Sequence, residues 1–186
     1  MKYFSEIDWR ISPTRGIFRA LSSGLKEVKQ LLADAQEDYQ INYCFEQTEN
    51  ILGIAFVTAQ TYITGTLSDV NDIANNGKKV NKDQLLKGYS DKLENSDMTK
   101  IELCDAIANY FKHHDEWANW SPTERNRKTI SVLIAAGIKE TDEYPCDKAA
   151  SLLWSNNDED LEPLLDLLTK WREATIRHYV SQSEAK

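Results

Sequence analysis

The 186-residue chain is poor in the residues that form turns and cross-links, with seven glycines, four prolines and three cysteines. So few glycines and prolines argue against an all-β sandwich or barrel, which needs many turns. The cysteines Cys44, Cys104 and Cys146 form no CxxC pair, which is against a disulfide framework or a zinc knuckle. Because no apolar signal-peptide core follows Met1, we expect a cytoplasmic protein.

Positive charge is also scarce, since 22 lysines and arginines face 30 aspartates and glutamates and leave a net charge of −8. An acidic chain repels phosphate backbones, so we predict no DNA partner and allow RNA only at a local basic site. The uncharged stretch between Glu49 and Asp69 is long enough to span a bilayer. It also holds Gln60, two glycines and five hydroxyl residues, so we predict a core helix and no membrane.

Apolar residues recur every three or four positions, which is typical of helices. Ser12 and Pro13 predict a helix start, with Ser12 as N-cap and Pro13 in the first turn. The strongest pattern predicts a helix over 38–74, about 55 Å long at 1.5 Å per residue. It is either one helix or two joined near Gly53 or Gly65.

The second half of the chain predicts shorter helices. Residues 77–97 form the most polar region and predict a loop or surface excursion with a short helix near 82–89. A capping box at Thr99 and Glu102 opens a helix that runs to about residue 117. Three further helices are expected, one from Ser121-Pro122 to a C-cap at Gly137, one over 147–154, and one after the acidic cluster Asp158-Glu159-Asp160.

No segment alternates apolar and polar residues over six or more positions, so no strand is predicted. The fold class is therefore all-α, an up-and-down helical bundle built on two or three long helices. We expect residues 1–186 to form a single domain.

The densest group of polar side chains lies on the helix after Thr99. Residues three and four apart are neighbours on a helix, so one stripe carries Asp105, Asn109, Lys112, His113 and Glu116. A histidine beside carboxylates is suited to proton transfer, so His113 is the first catalytic candidate, with Asn109 and Lys112 beside it. The neighbouring stripe is apolar and contains His114, so the alternative is a surface His113 and a partly buried core His114.

Other chemistry is weakly signalled. Adjacent histidines diverge on a helix and HExxH is absent, so we predict neither a metal site nor a cofactor. Arg172 and His178 lie near the end of the last helix, where cations suit the helix dipole. The basic run Arg125-Asn126-Arg127-Lys128 is either a solvated helix face or the one place where this acidic chain meets an anion.

The segment Ala108-Asn109-Tyr110-Phe111-Lys112-His113 resembles the motif region of HEPN-like proteins. The resemblance implies a small helical bundle that is an RNase, or a relic of one, in a bacterial toxin–antitoxin, abortive-infection or other defence system. The family signature is an arginine, usually a polar residue, and a histidine four to six positions on. Asn109 and His113 match, but Ala108 stands where the arginine is expected.

That departure leaves two hypotheses. The first is a non-catalytic binding or regulatory protein, a homodimer or the partner of another protein, with a binding surface of His114, Glu116, Trp117 and Trp120. The second is a metal-independent RNase. It would use His113 with Lys112 replacing the arginine, or Arg172 with His178, which also meet the family spacing.

Overall fold

The computed structural model describes residues 7–74, 79–94, 96–117, 119–154 and 159–184. It is 74% helical, with no strand in these ranges, so the prediction of an all-α bundle is confirmed. Three helices are long, with 24, 37 and 23 residues. In chain order the helices are α1 Ile11–Asp34, α2 Asp38–Ala74, α3 Lys82–Lys87, α4 Lys100–His113, α5 Arg127–Ala135, α6 Pro145–Leu153 and α7 Glu162–Glu184.

Helix α2 is the centre of the bundle and packs against α1, α4, α6 and α7. It is one continuous helix, so neither Gly53 nor Gly65 divides it. Both glycines instead mark close approaches. A Cβ on Gly53 would lie 2.1 Å from the ring of Phe111, and one on Gly65 would lie 2.0 Å from Nε of Arg10. Small residues therefore let α4 and the segment before α1 lie against the α2 backbone.

Within the described ranges, α2 is also the one helix long and apolar enough to cross a membrane by length and composition. Its most apolar window has a mean hydropathy of 1.2, and 50% of that window is buried inside the molecule. The buried residues of α2 include Leu52, Phe56, Tyr62 and Ile63. The core helix of a globular protein passes the same test of length and composition, so this test does not decide the question. The absence of a membrane therefore stays a prediction.

Two predicted helix starts are wrong because nearby side chains cap the backbone differently. Helix α1 begins at Ile11 rather than after Ser12, since Asp8 Oδ1 accepts hydrogen bonds from the amides of Arg10 and Ile11. The helix expected from Ser121-Pro122 begins only at Arg127. There the turn before α5 is closed by Asn126 Oδ1, which accepts from the Thr123 amide at 2.6 Å.

Other helix ends match the prediction. Thr99 and Glu102 form a complete capping box at the start of α4. Gly137 has a φ of 81°, the left-handed conformation that follows many helix ends and favours glycine. Asp160 Oδ1 accepts from the Glu162 amide at the start of α7, as expected for an acidic N-terminus. Asp158 lies outside the described residues.

The polar region 77–97 contains the expected short helix, which is α3 at Lys82–Lys87. Despite its polar composition, region 77–97 packs into the core through three buried leucines, Leu85 and Leu86 in the helix and Leu93 after it. In addition, Thr99 Oγ1 donates to the Leu86 carbonyl at 2.7 Å. The described part of this region therefore covers one side of α4 rather than standing away from the bundle.

Candidate functional site

A polar network joins α4 to α2 beneath the predicted site. Gln60 on α2 donates through Nε2 to Asp105 Oδ1 at 2.8 Å and to Asn109 Oδ1 at 3.0 Å. Lys112 Nζ donates to Gln60 Oε1 at 2.6 Å, and Lys82 Nζ lies 2.7 Å from Asp105 Oδ1. The predicted stripe is therefore real, but most of it satisfies a buried glutamine and a buried aspartate. Lys112 is committed to this network.

His113 is the last residue of α4 and its side chain is 47% exposed. The chain then tightens into a 3-10 turn, His114–Glu116, which brings Glu116 back toward it. His113 Nδ1 lies 2.8 Å from Glu116 Oε1. The sequence therefore predicted correctly that His113 lies near a carboxylate and open to solvent.

A cleft of about 640 Å³ lies between the end of α4 and the segment that leads into α5. We call it the His113 cleft. It contains two ionisable side chains of α4 and its turn, His113 and Glu116, and one cation from across the cleft, Arg125. Its lining residues are Asn109, His113, Glu116, Trp117, Asn119, Ser121, Thr123, Arg125, Asn126 and Thr129.

An aromatic cluster borders this cleft and surrounds Tyr110. The ring of His114 stacks on Tyr110 at 5.2 Å, while Trp117 and Trp120 meet it edge-on at 5.8 and 5.7 Å. Burial raises the pKa of Tyr110 to about 12, so the phenol stays neutral. Trp120 also packs against the main core. The expected binding residues His114, Glu116, Trp117 and Trp120 are thus close together.

The alternative placement of His114 is wrong, because its side chain is 41% exposed rather than partly buried in the core. Its ring covers one face of Tyr110 from the solvent side, and its Nδ1 lies 3.1 Å from the Phe111 carbonyl. The departure from the apolar stripe has a simple cause, since α4 ends at His113 and the 3-10 turn rotates the following side chains outward.

Arg172 and His178 have different surroundings. Arg172 is 3% exposed, and its Nη2 lies 3.0 Å from Asp69 Oδ2, which also binds Arg10 Nη1 at 2.6 Å. His178 is half-buried against the ring of Tyr89 at 4.9 Å. Their spacing in sequence therefore does not place a free arginine beside this histidine.

The sequence missed the far wall of the His113 cleft, which is formed by the loop before α5. The run Arg125–Lys128 was the one signal for it, and the structure separates its members. Arg125 lines the cleft, whereas Lys128 forms an ion pair with Asp83 on α3. Gln60 could not be identified because its contacts with α4 span more than 40 positions in sequence.

Chemically, the His113 cleft can donate hydrogen bonds to an anionic group and offer aromatic surface beside it. Among the described residues, no group of three or more His, Cys, Asp or Glu side chains could hold a metal ion. Ala108, at the position of the family arginine, is fully buried in the core. Comparison with protein-family models, with curated proteins and with solved structures gave no significant match, so the HEPN-like resemblance stays a prediction.

Proposed function

We propose that this chain is a non-catalytic HEPN-like binding or regulatory protein of a bacterial defence or toxin–antitoxin-type system. We further propose that it acts in the cytoplasm as a homodimer or with a protein partner. The observation that carries the proposal is that the charged contact of His113 among the described residues is an acid and not a cation. Ala108 is buried where the family arginine is expected, and Lys112 is held by Gln60.

A phosphodiester-cleaving site needs a cation on the phosphate and a group that moves a proton. In this chain the nearest charged contact of His113 is an acid, Glu116, at 2.8 Å. A carboxylate at that position keeps a phosphate away from His113, whereas Arg125 on the opposite wall can still bind an anion. The His113 cleft therefore suits recognition of a ligand better than catalysis on an RNA backbone.

A metal-independent RNase remains the second candidate because Arg125 lines the same cleft as His113. Arginine binds phosphate through a planar fork and lysine does not, so Arg125 is a better substitute for the family arginine than Lys112. In this candidate Arg125 holds the phosphate and His113 transfers the proton.

Degradation of labelled single-stranded RNA in the presence of EDTA separates the two candidates. We expect the wild-type chain and the variants His113→Ala, Arg125→Ala and His178→Ala to show the same background. Cleavage by the wild type that either His113→Ala or Arg125→Ala abolishes would establish the RNase. Cleavage lost only in His178→Ala would move the site to the last helix.

Sedimentation velocity over a range of concentrations tests the homodimer directly. If two copies associate through the aromatic cluster, Trp117→Ser shifts the equilibrium to monomer. A wild-type chain that stays monomeric at all concentrations would rule out the homodimer and leave a different protein as the partner.

A further inference from the structure

A second concave surface lies at the hairpin between α1 and α2, apart from the His113 cleft. It encloses about 640 Å³ and shares no lining residue with that cleft. We call it the hairpin groove. Its principal side chains are Leu31, Asp34, Tyr39, Tyr43 and Glu46.

The apolar side chains of the hairpin groove are unusually open to water. Tyr39 is 70% exposed, and Tyr43 and Leu31 are each 54% exposed. Single exposed apolar residues are common on protein surfaces, but these three line one groove. Tyrosine is enriched at the centres of protein interfaces because its ring buries a large area and loses few rotamers.

The charge around this groove has one sign. The chain contains no lysine, arginine or histidine between Lys29 and Lys78. Asp34 and Glu46 line the groove, and no cation does so in the described part of the chain. Glu37 is exposed in the turn of the same hairpin. The potential at the groove is therefore negative, and it is reinforced by the net charge of −8 on the whole chain.

We propose that the hairpin groove docks a basic segment of a protein partner. An arginine or lysine of that segment lies across the rings of Tyr39 and Tyr43 and pairs with Asp34 or Glu46. An apolar neighbour of that residue covers Leu31. Tyrosine faces attract cations, and the adjacent carboxylates add to that attraction. An anionic partner, including a nucleic acid, is repelled.

This inference rests on the proposed function in one respect, since it names the partner that a binding protein of this kind would recognise. The two proposals fail separately. RNA cleavage that depends on His113 would contradict the proposed non-catalytic function but not the groove proposal. A wild-type chain that does not bind the basic peptide would contradict the groove proposal but not the proposed role of the His113 cleft.

The test uses two short fluorescent peptides, one built of leucine and arginine and a twin in which glutamate replaces arginine. Fluorescence anisotropy with the full-length chain is expected to show binding of the basic peptide only. Tyr39→Ser/Tyr43→Ser and Asp34→Asn/Glu46→Gln are each expected to weaken binding about tenfold. These groove side chains are exposed or lie at the surface, and thermal melts verify that both variants fold.

Asp72→Asn/Glu173→Gln is the matched control, because it removes the same two charges from exposed positions outside the groove. It is expected to change the affinity less than about twofold, since screened surface charges act weakly at a distance. His113→Ala is expected to bind like the wild type. These two results establish that the groove, and not the overall charge or the His113 cleft, holds the peptide.

Besides the absence of basic-peptide binding, three outcomes overturn the proposal. The first is equal binding of the two peptides, which would mean that the groove recognises apolar surface alone. The second is a control variant that loses as much affinity as the groove variants. The third is self-association of the chain that Tyr39→Ser/Tyr43→Ser abolishes in sedimentation velocity, which would make a second copy the occupant.

Discussion

The arginine cluster around Arg172 and the His113 cleft contain similar residue types and serve opposite purposes. In the first, Arg10 and Arg172 meet the carboxylates of Asp8 and Asp69, and the Tyr62 hydroxyl donates a hydrogen bond to Asp8. In the second, Arg125 lines a wall of an open cleft that also contains His113. The family spacing is complete at Arg172 and His178 and lacks its arginine before His113, yet burial and pairing decide which arginine can meet a ligand.

The charges of the arginine cluster pair with one another in the part of the chain that the structure describes. There, two guanidinium groups face two carboxylates, and burial together with the bond to Asp8 raises the pKa of Tyr62. Such a cluster holds the segment before α1 against α2 and α7. Buried pairs add little net stability when intact, but the loss of one partner is expensive because the other charge remains buried.

The largest expected effect follows from that asymmetry. Arg172→Met leaves Asp69 with Arg10 as its one ion-pair partner among the described residues and should reduce the free energy of unfolding by about 3–5 kcal/mol, measured by urea denaturation. Arg177→Met, at an exposed position of the same helix, should change it by less than about 0.5 kcal/mol. Equal stability of the two variants would make the cluster dispensable and remove the contrast with the cleft.

The contact between α2 and α4 gives the next effect. Gly53→Ala places a methyl group 2.1 Å from the ring of Phe111 and should lower the free energy of unfolding by about 1–3 kcal/mol. Gly16→Ala in α1 meets nothing within 4 Å and should raise it by about 0.5–1 kcal/mol. A lower free energy of unfolding in Gly16→Ala would show that helix propensity does not determine the effect of the substitution at this position.

Lys112 tests whether a cation near the cleft is structural. Lys112→Met removes the donor to Gln60 Oε1 and should lower the free energy of unfolding by about 1 kcal/mol. Lys170→Met, at an exposed position on α7, is the control and should leave it unchanged within about 0.5 kcal/mol. An unaffected Lys112→Met would show that the bond to Gln60 is not structural and that Lys112, like Arg125, is available to a ligand of the cleft.

The walls of the His113 cleft should contribute almost nothing to stability. His113→Ala and Arg125→Ala remove exposed side chains, and each should change the free energy of unfolding by less than about 0.5 kcal/mol. Thermal denaturation of both variants beside Arg172→Met measures the contrast directly. A large loss in either cleft variant would assign its side chain to the fold rather than to a ligand.

The last effect is a dependence on pH and concerns Glu49, a half-buried carboxylate of α2 whose hydrogen-bond partners are backbone amides. It accepts from the Cys146 and Asp147 amides at the start of α6, and burial raises its pKa above the ordinary value of 4.5. The native state therefore holds this proton more tightly than the unfolded chain. The stabilisation that this protonated carboxyl gives to the native state is complete below pH 4.5 and is lost as the pH rises through the folded pKa.

Glu49→Gln does not titrate, so its stability relative to the wild type should rise with pH from about 4.5 upward. Urea denaturation of both proteins at several pH values gives this difference while other carboxylates cancel. A relative stability that falls over the same range would mean that the two amides outweigh burial.

The sequence predicted those features that depend on local spacing. The capping box at Thr99, the continuous pattern of α2 and the left-handed Gly137 each need only neighbours along the chain. The error at Ser12 arose because Asp8 caps the earlier amides of Arg10 and Ile11, and the error at Ser121 because Asn126 takes the Thr123 amide that a cap at Ser121 would use. Tertiary packing decides which of the possible helix caps forms, so sequence spacing alone cannot predict it.

The candidate site was predictable only on one side. His113 and Glu116 are three positions apart, so helical geometry brings them together. Arg125 comes from the loop before α5, and only the packed structure places it in the same cleft. Arg172 is paired with Asp69, which is more than 100 positions away in sequence. The arginine-to-histidine spacing therefore could not predict that Arg172 is buried and paired.

Arginine side-chain NMR tests the central claim, that the His113 cleft is open to an anion while the arginine cluster is closed. The account predicts that adding inorganic phosphate shifts the Nε–Hε signal of Arg125, whose proton exchanges rapidly with water. The Arg172 signal should stay in place and exchange slowly. A shift at Arg172, or no response at Arg125, would contradict the account.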